Sequence, residues 1–297
     1  MKVPSRTRAR RRFAAAIAVL TASTALVMGA PGSGSAAPAA TPSLQAYGIS
    51  SDGLSMAAFK TDNPQQLDWV RDIVGLKGDQ KVVGIDFRVQ DGKLYGVGDK
   101  GGIYTFKWPP EVPAPTATKV SQLQFDLYGT NFGVDFNPAA DRLRVISDNG
   151  QNLRHNLNDH TTVEDGVLTT PPIPGWTRGV SAAAYTNNDL NGATGTLLFD
   201  VDTKTDQLAV QAPANNGTLS PVGSLGVDAG PNAGLDIYST LSGGKTVSNA
   251  GFAILGPPSG TTRSSLYNIN LFTGETELIG RFPAVDITDL AISLTGK

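Results

Sequence analysis

Gly84-Ile85-Asp86-Phe87 is followed by Gly133-Val134-Asp135-Phe136, and the phrase returns as Ala182-Ala183-Ala184-Tyr185, Gly234-Leu235-Asp236-Ile237 and Ile287-Thr288-Asp289-Leu290. The aligned positions 86, 135, 184, 236 and 289 stand 49, 49, 52 and 53 residues apart. A period near 50 residues, with several short strands in each, is the signature of a β-propeller. Fold alone does not choose among the binding, scaffolding and catalytic roles that such rings host.

Outward from this phrase, each period reads as four strands. Residues 82–88, 93–98, 103–106 and 117–123 are alternating or apolar runs separated by turn residues. Asp91-Gly92 and Asn149-Gly150 are strong hairpin signals, because such turns need positive φ. Helical periodicity is weak throughout; only residues 64–70 suggest a helical turn. The ends of the chain are unequal. Residues 44–76 supply strands without a preceding Gly-x-Asp strand, whereas 286–294 supply such a strand and stop. The two ends therefore pair in one blade and close the ring, leaving no free edge. The reading is all-β, with five blades at 82–124, 131–170, 180–224, 234–281 and a composite of 44–76 with 286–294. The alternative is six blades, with an extra hairpin inside 234–281.

The repeated acids are the first candidates for chemistry. Asp86, Asp135, Asp236 and Asp289 share one repeat position beside the axis, and Ala184 interrupts the set. They serve either as structural hydrogen-bond acceptors or as oxygen ligands for a cation such as calcium. A second group lies in the second repeat. Strand alternation puts Arg142 and Arg144 on one face, and Asn152 and Arg154 on one face across the turn. With Asp135 and Asn137 they form a candidate site for a small polar, anionic or saccharide ligand, since guanidinium groups grip oxyanions at two points. The competing reading has these arginines tying blades together through Asp135, Asp141 or Asp148.

Nucleophilic chemistry finds little support. No Gly-x-Ser-x-Gly elbow occurs, and His155 reads as a lone surface histidine. Paired-acid catalysis has candidates in Asp135, Asp141, Asp148, Glu164, Asp165, Asp228 and Asp236, with nothing to single out a pair. Trp108 and Trp176 sit in proline-rich, exposed-looking segments, and Trp176 with Arg178 suggests a stacking platform.

Residues 1–39 read as a cleaved secretory signal. Lys2, Arg6, Arg8 and Arg10-Arg11-Arg12 precede an apolar stretch, Phe13 to Met28, and a small-residue tract. The twin-arginine route is open to it. At about 16 residues the apolar stretch is short for a membrane span of ~20. Residues 40–297 are then a single propeller domain without a membrane span. Six of the 24 basic residues fall in the signal and none of the 26 acidic ones does, so the remainder carries 18 against 26. That acidic balance argues against nucleic acid as a partner. The chain has no cysteine and two histidines, which excludes thiol catalysis and a three-histidine metal site.

The stretches VVGIDFRVQDGKLYGVGDKGGIYTF (82–106), FGVDFNPAADRLRVISDNGQNLRHNL (132–157), SAAAYTNND (181–189), LGVDAGPNAGLDIYS (225–239) and LYNINLFTGETELIG (266–280) resemble the domain-of-unknown-function family 4394. The resemblance spans nearly all of residues 40–297. It implies a repeat β-fold outside the cytoplasm and no particular activity. The expectation is a secreted, monomeric, non-catalytic binding protein. The alternatives are an extracellular carbohydrate-active hydrolase or lyase using paired carboxylates, and a purely structural surface protein.

Overall fold

The computed structural model describes residues 41–259 and 263–297. The signal-peptide reading of residues 1–39 lies outside them. Twenty strands account for the described fold. They are β1 (Gln45–Ser50), β2 (Ser55–Lys60), β3 (Leu67–Asp72), β4 (Val82–Arg88), β5 (Lys93–Gly98), β6 (Gly102–Lys107), β7 (Thr116–Gln122), β8 (Phe132–Asn137), β9 (Arg142–Ser147) and β10 (Asn152–Asn156). There follow β11 (Thr161–Glu164), β12 (Val180–Tyr185), β13 (Leu198–Asp202), β14 (Gln207–Gln211), β15 (Leu219–Ser224), β16 (Ala233–Ser242), β17 (Lys245–Leu255), β18 (Ser265–Ile269), β19 (Thr276–Arg281) and β20 (Ile287–Ile292).

They form five four-stranded antiparallel sheets: β4 to β7, β8 to β11, β12 to β15, β16 to β19, and a fifth in the order β20-β1-β2-β3. We number these blades 1 to 5. The inner strands β4, β8, β12, β16 and β20 pack one against the next and back to β4. The molecule is a five-bladed β-propeller closed by its own two ends. The six-blade alternative falls because β16 and β17 are one long hairpin inside a single sheet; their register runs from Ala233↔Leu255 to Ser242↔Lys245. The helical turn suggested at 64–70 is absent, and Leu67–Asp72 is instead the outer strand of blade 5. A short 3-10 turn occurs at Ala214–Asn216. Asp91-Gly92 turns as read, with Gly92 at φ 68°.

Each gap between blades holds its own apolar cluster. Tyr47, Met56, Ile85 and Leu94 fill the gap between blades 5 and 1. Tyr95, Val97, Phe132 and Leu143 fill that between blades 1 and 2. Phe199, Val201, Leu235 and Ile237 join blades 3 and 4, and Phe252, Leu266, Phe59 and Ile292 join blades 4 and 5. Both faces of every sheet are thus covered, which is why the inner and middle strands are apolar on both sides. The gap between blades 2 and 3 differs. There blade 2 offers only Ile146 and Leu168 to the apolar side chains of blade 3.

The glycine of the repeated phrase is demanded by the ring. A Cβ on Gly133 would lie 2.5 Å from the backbone nitrogen of Ala183, and one on Gly234 would lie 2.7 Å from the Cα of Asp289. Neighbouring inner strands approach too closely there for any side chain.

Candidate functional site

The repeated aspartates converge at the axis. Each accepts a backbone N–H from a neighbouring inner strand. Asp289 Oδ2 accepts from Ile85 at 2.8 Å, Asp86 Oδ2 from Phe136 at 2.7 Å, Asp135 Oδ1 from Tyr185 at 3.1 Å and Asp236 Oδ2 from Ile292 at 2.6 Å. These bonds link blade 5 to 1, 1 to 2, 2 to 3 and 4 to 5. Blade 3 has Ala184 at the equivalent position and makes no such link. The acids also crowd one another: Asp86, Asp135 and Asp236 each bring an oxygen within 4.8 Å of the others. Opposite ligands of a calcium ion, at about 2.4 Å each, span ~4.8 Å.

All four acids are buried. Burial pushes the carboxyls of Asp86, Asp135 and Asp289 well above the usual range, and the neighbouring carboxylates push them further. Burial lifts Asp236 to about 7. Four carboxylates without an adjacent base cannot all stay ionised; they must share protons or a cation. At the rim where the inner strands begin, a cavity of about 30 Å³ is lined by Lys81, Asn131, Asn232, Thr288 and, of the four acids, Asp289. That is room for an ion or a water, not for a sugar ring. On the same rim, a groove of about 320 Å³ runs past Asp148, Gly179, Thr203, Lys204, Gly230 and Pro258.

The second candidate group behaves as alternation requires and is then covered over. The register pairs Asp135 with Arg144, Asn137 with Arg142, and Arg144 with Arg154. All six expected residues therefore share one face of blade 2. That face turns toward blade 3. Arg144 is 2% exposed. Its Nη1 donates to Asn152 Oδ1 and Asp165 Oδ2, both at 2.7 Å, its Nη2 to Asn215 Oδ1 at 2.8 Å and its Nε to Tyr185 at 3.3 Å. Arg154 forks onto both oxygens of Asp165 at 3.0 Å. Arg142 turns back to the carbonyls of Ala140 and Asp141. The guanidinium groups are thus occupied by the protein's own acceptors. Asp165, Asn215 and Tyr185, absent from the expected set, complete the network. On the opposing face of blade 3, the buried Asp200 carboxylate has no hydrogen-bond partner, nor has Ser181 Oγ or Gln211 Oε1. Burial holds Asp200 well up in pKa despite the attraction of Arg144. Such atoms call for internal water.

Other expectations are corrected. Asp141 is taken by Arg88, which forks onto it at 2.7 Å from blade 1. Asp148 accepts the backbone N–H groups of Thr130 and Asn131. Trp108 is half-buried against Tyr47 and Phe87, whereas Trp176 is 55% exposed and Arg178 donates to Asn149 rather than stacking on it. His155 is not a surface residue. It is fully buried, with Nε2 2.8 Å from Ser121 Oγ and Nδ1 2.9 Å from Thr162 Oγ1. Thr162 is the cross-strand partner of His155 within blade 2, whereas Ser121 carries no local motif and is brought in only by the packing of blade 1 on blade 2.

The repeated phrase, its glycine and its acid are matched from residue 55 to 291 by the family model described as Domain of unknown function (DUF4394). The chain belongs to this family. No curated protein matches this DUF4394 chain. Solved structures resemble it at low identity. A glutaminyl cyclase from Myxococcus xanthus is 12% identical with a TM-score of 0.43, the match covering 84% of this chain and 96% of that one. A structural-genomics protein of unknown function from Bacteroides thetaiotaomicron is 11% identical with a TM-score of 0.45, covering 86% and 68%. An auxiliary nutrient binding protein from Bacteroides ovatus is 12% identical with a TM-score of 0.39, covering 72% and 53%. Likeness at this level carries no argument about what the DUF4394 chain binds. Among its described residues no helix is long and apolar enough to cross a membrane.

Proposed function

We propose that this protein is an exported binding propeller whose axial and rim sites bind without catalysing. It holds a hard divalent cation, calcium by its chemistry, on the axial carboxylates. It receives a small polar or anionic ligand in the rim groove beside Lys204. The observation that carries the reading is the convergence of Asp86, Asp135 and Asp236 oxygens within 4.8 Å. Oxygen-only donors favour calcium over zinc or copper. The groove of about 320 Å³ falls at the lower end of small-ligand sites, and the Lys204 ammonium supplies the attraction for an anion. The carbohydrate-cleaving alternative is weaker, because it needs two acids across an open pocket and these acids are buried. Export rests on the basic and apolar leader.

The test is thermal denaturation and calorimetric titration of residues 40–297 at pH 8, with calcium or EDTA. A ligand that binds only the folded state raises the melting temperature. Calcium should raise it in the wild type and not in Asp135→Asn. Unchanged melting with calcium and no heat of binding would leave the axial acids as protonated struts and end the cation reading.

A further inference from the structure

The buried side chains around His155 form a hydrogen-bond chain that the binding reading leaves unused. Ser121 lies in β7, the outer strand of blade 1, just past a bulge: Tyr104 pairs with Lys119 and Ile103 with Ser121, leaving Val120 unpaired. Bulges re-aim side chains in this way. Ser121 Oγ is 2.8 Å from His155 Nε2 and 2.8 Å from His160 Nδ1. His155 comes from β10, and His160 from the β10–β11 turn of blade 2. Beside them a broad, solvent-open groove of about 860 Å³ is lined by Lys119, Val120, Ser121, Gln122, Leu123 and His160.

The direction of the chain depends on its hydrogens. Thr162 Oγ1 already accepts the Gln124 N–H at 3.0 Å. The Thr162 hydroxyl and His155 Nδ1 lie 2.9 Å apart, and a hydroxyl oxygen can accept twice, so both tautomers of His155 satisfy these contacts. The tautomer that turns the Ser121 hydroxyl toward His160 carries its hydrogen on Nε2. In it Thr162 donates to Nδ1, His155 Nε2–H donates to Ser121 Oγ, and the Ser121 hydroxyl hydrogen points to His160 Nδ1. Burial, with His160 adding to it, lowers the pKa of His155 to about 4, so the ring stays neutral and keeps this donor role. The serine hydroxyl thus has an imidazole nitrogen 2.8 Å away to take its proton, the contact that activates a nucleophile.

We propose that Ser121 is a nucleophilic hydroxyl that accepts acyl groups from small activated esters docked along the β7 edge, with His160 as its base. Ser121 Oγ bonds to the ester carbonyl carbon while its proton passes to His160 Nδ1. The carbon–oxygen bond to the leaving group breaks, and the departing alkoxide or phenoxide takes that proton. Water then attacks the acyl-serine, with His160 again holding the proton, and releases the carboxylic acid and free Ser121. The carbonyl oxygen faces an open, hydrated groove, so the site suits esters with good leaving groups rather than amides, which need strong oxyanion donors.

The test uses residues 40–297 with a fluorophosphonate probe and with p-nitrophenyl acetate, the adduct being located by peptide mass spectrometry. A single adduct at Ser121 is expected, absent in Ser121→Ala and formed at least tenfold more slowly in His160→Gln, whose fold is checked by its melting temperature because residue 160 has φ 59°. The chain has no cysteine, so Ser121→Cys carries one thiol. Iodoacetamide should alkylate it at least tenfold faster than the thiol of Val120→Cys, and the advantage should vanish when His160→Gln is added. No adduct at Ser121, labelling indifferent to His160, or equal alkylation of the two thiols overturns the proposal.

Discussion

Asp236 keeps its proton up to about pH 7 because it is buried, and this shift bears on how the cation-free protein responds to pH. An unfolded aspartate titrates near 3.9. Between there and 7 the folded state holds a proton that the unfolded state has released. The stabilisation is therefore full below about pH 4 and is lost as pH rises through 7. Asp86, Asp135 and Asp289 shift in the same direction. The opposite sign belongs to Asp141, held low by the Arg88 guanidinium, and Asp52, held low by the Ser50 hydroxyl; their stabilisation is lost as pH falls below about 4. Melting in EDTA should accordingly peak near pH 5 and fall by ~5 °C or more at pH 8. Asp236→Asn, which cannot ionise, should flatten part of that fall. A melting temperature equal or higher at pH 8 in EDTA would contradict the burial of these charges.

The strand is the scale at which the ring is made narrow. Gly133 has an ordinary extended backbone; what it lacks is room, since its Cβ would meet Ala183 N at 2.5 Å and Ala182 C at 2.7 Å. Backbone atoms of a neighbouring inner strand cannot swing aside as a side chain can. Gly133→Ala should destabilise the fold by ~2 kcal/mol or more, as overpacking does. Gly192→Ala, with nothing within 4 Å of the added carbon, should stay within about 0.5 kcal/mol. Equal urea midpoints for the two variants would refute the close approach. This scale also shows what the sequence makes legible. Strand alternation places Arg142 with Arg144 and, across the turn, Asn152 with Arg154; the register puts all four on one face with Asp135 and Asn137. Alternation says nothing about what covers a face. Arg144 meets Tyr185 and Asn215, which lie 41 and 71 residues away, and no periodicity within blade 2 encodes them. His155 was misread for the same reason: its partner Ser121 belongs to another blade.

Closure of the whole molecule joins the earliest described strand to the last. β20 pairs with β1 through Ala46↔Ile292 and Gly48↔Leu290. It sends Asp289 to Ile85 across 204 residues, and its Ile292 N–H is held by Asp236. The ends were legible because one repeat unit was missing at the start of the chain and supplied at its end. The energetics favour this arrangement. Closing a loop of ~240 residues instead of ~50 costs only about 1.4 kcal/mol more. Against it, Ile287, Leu290 and Ile292 become buried, at roughly 1.5–3 kcal/mol each. Removing residues 286–297 forfeits that burial, strips β1 of its inner partner, and exposes the flanks of β4 and β16 together. The truncated chain should lose its cooperative thermal transition and aggregate through the open edge. A synthetic peptide of residues 286–297, added during refolding, should restore a cooperative transition in proportion to its occupancy. If the truncated chain instead melts cooperatively within a few degrees of the full chain, closure by β20 does not hold the ring together, and the four complete blades must be stable as an open array.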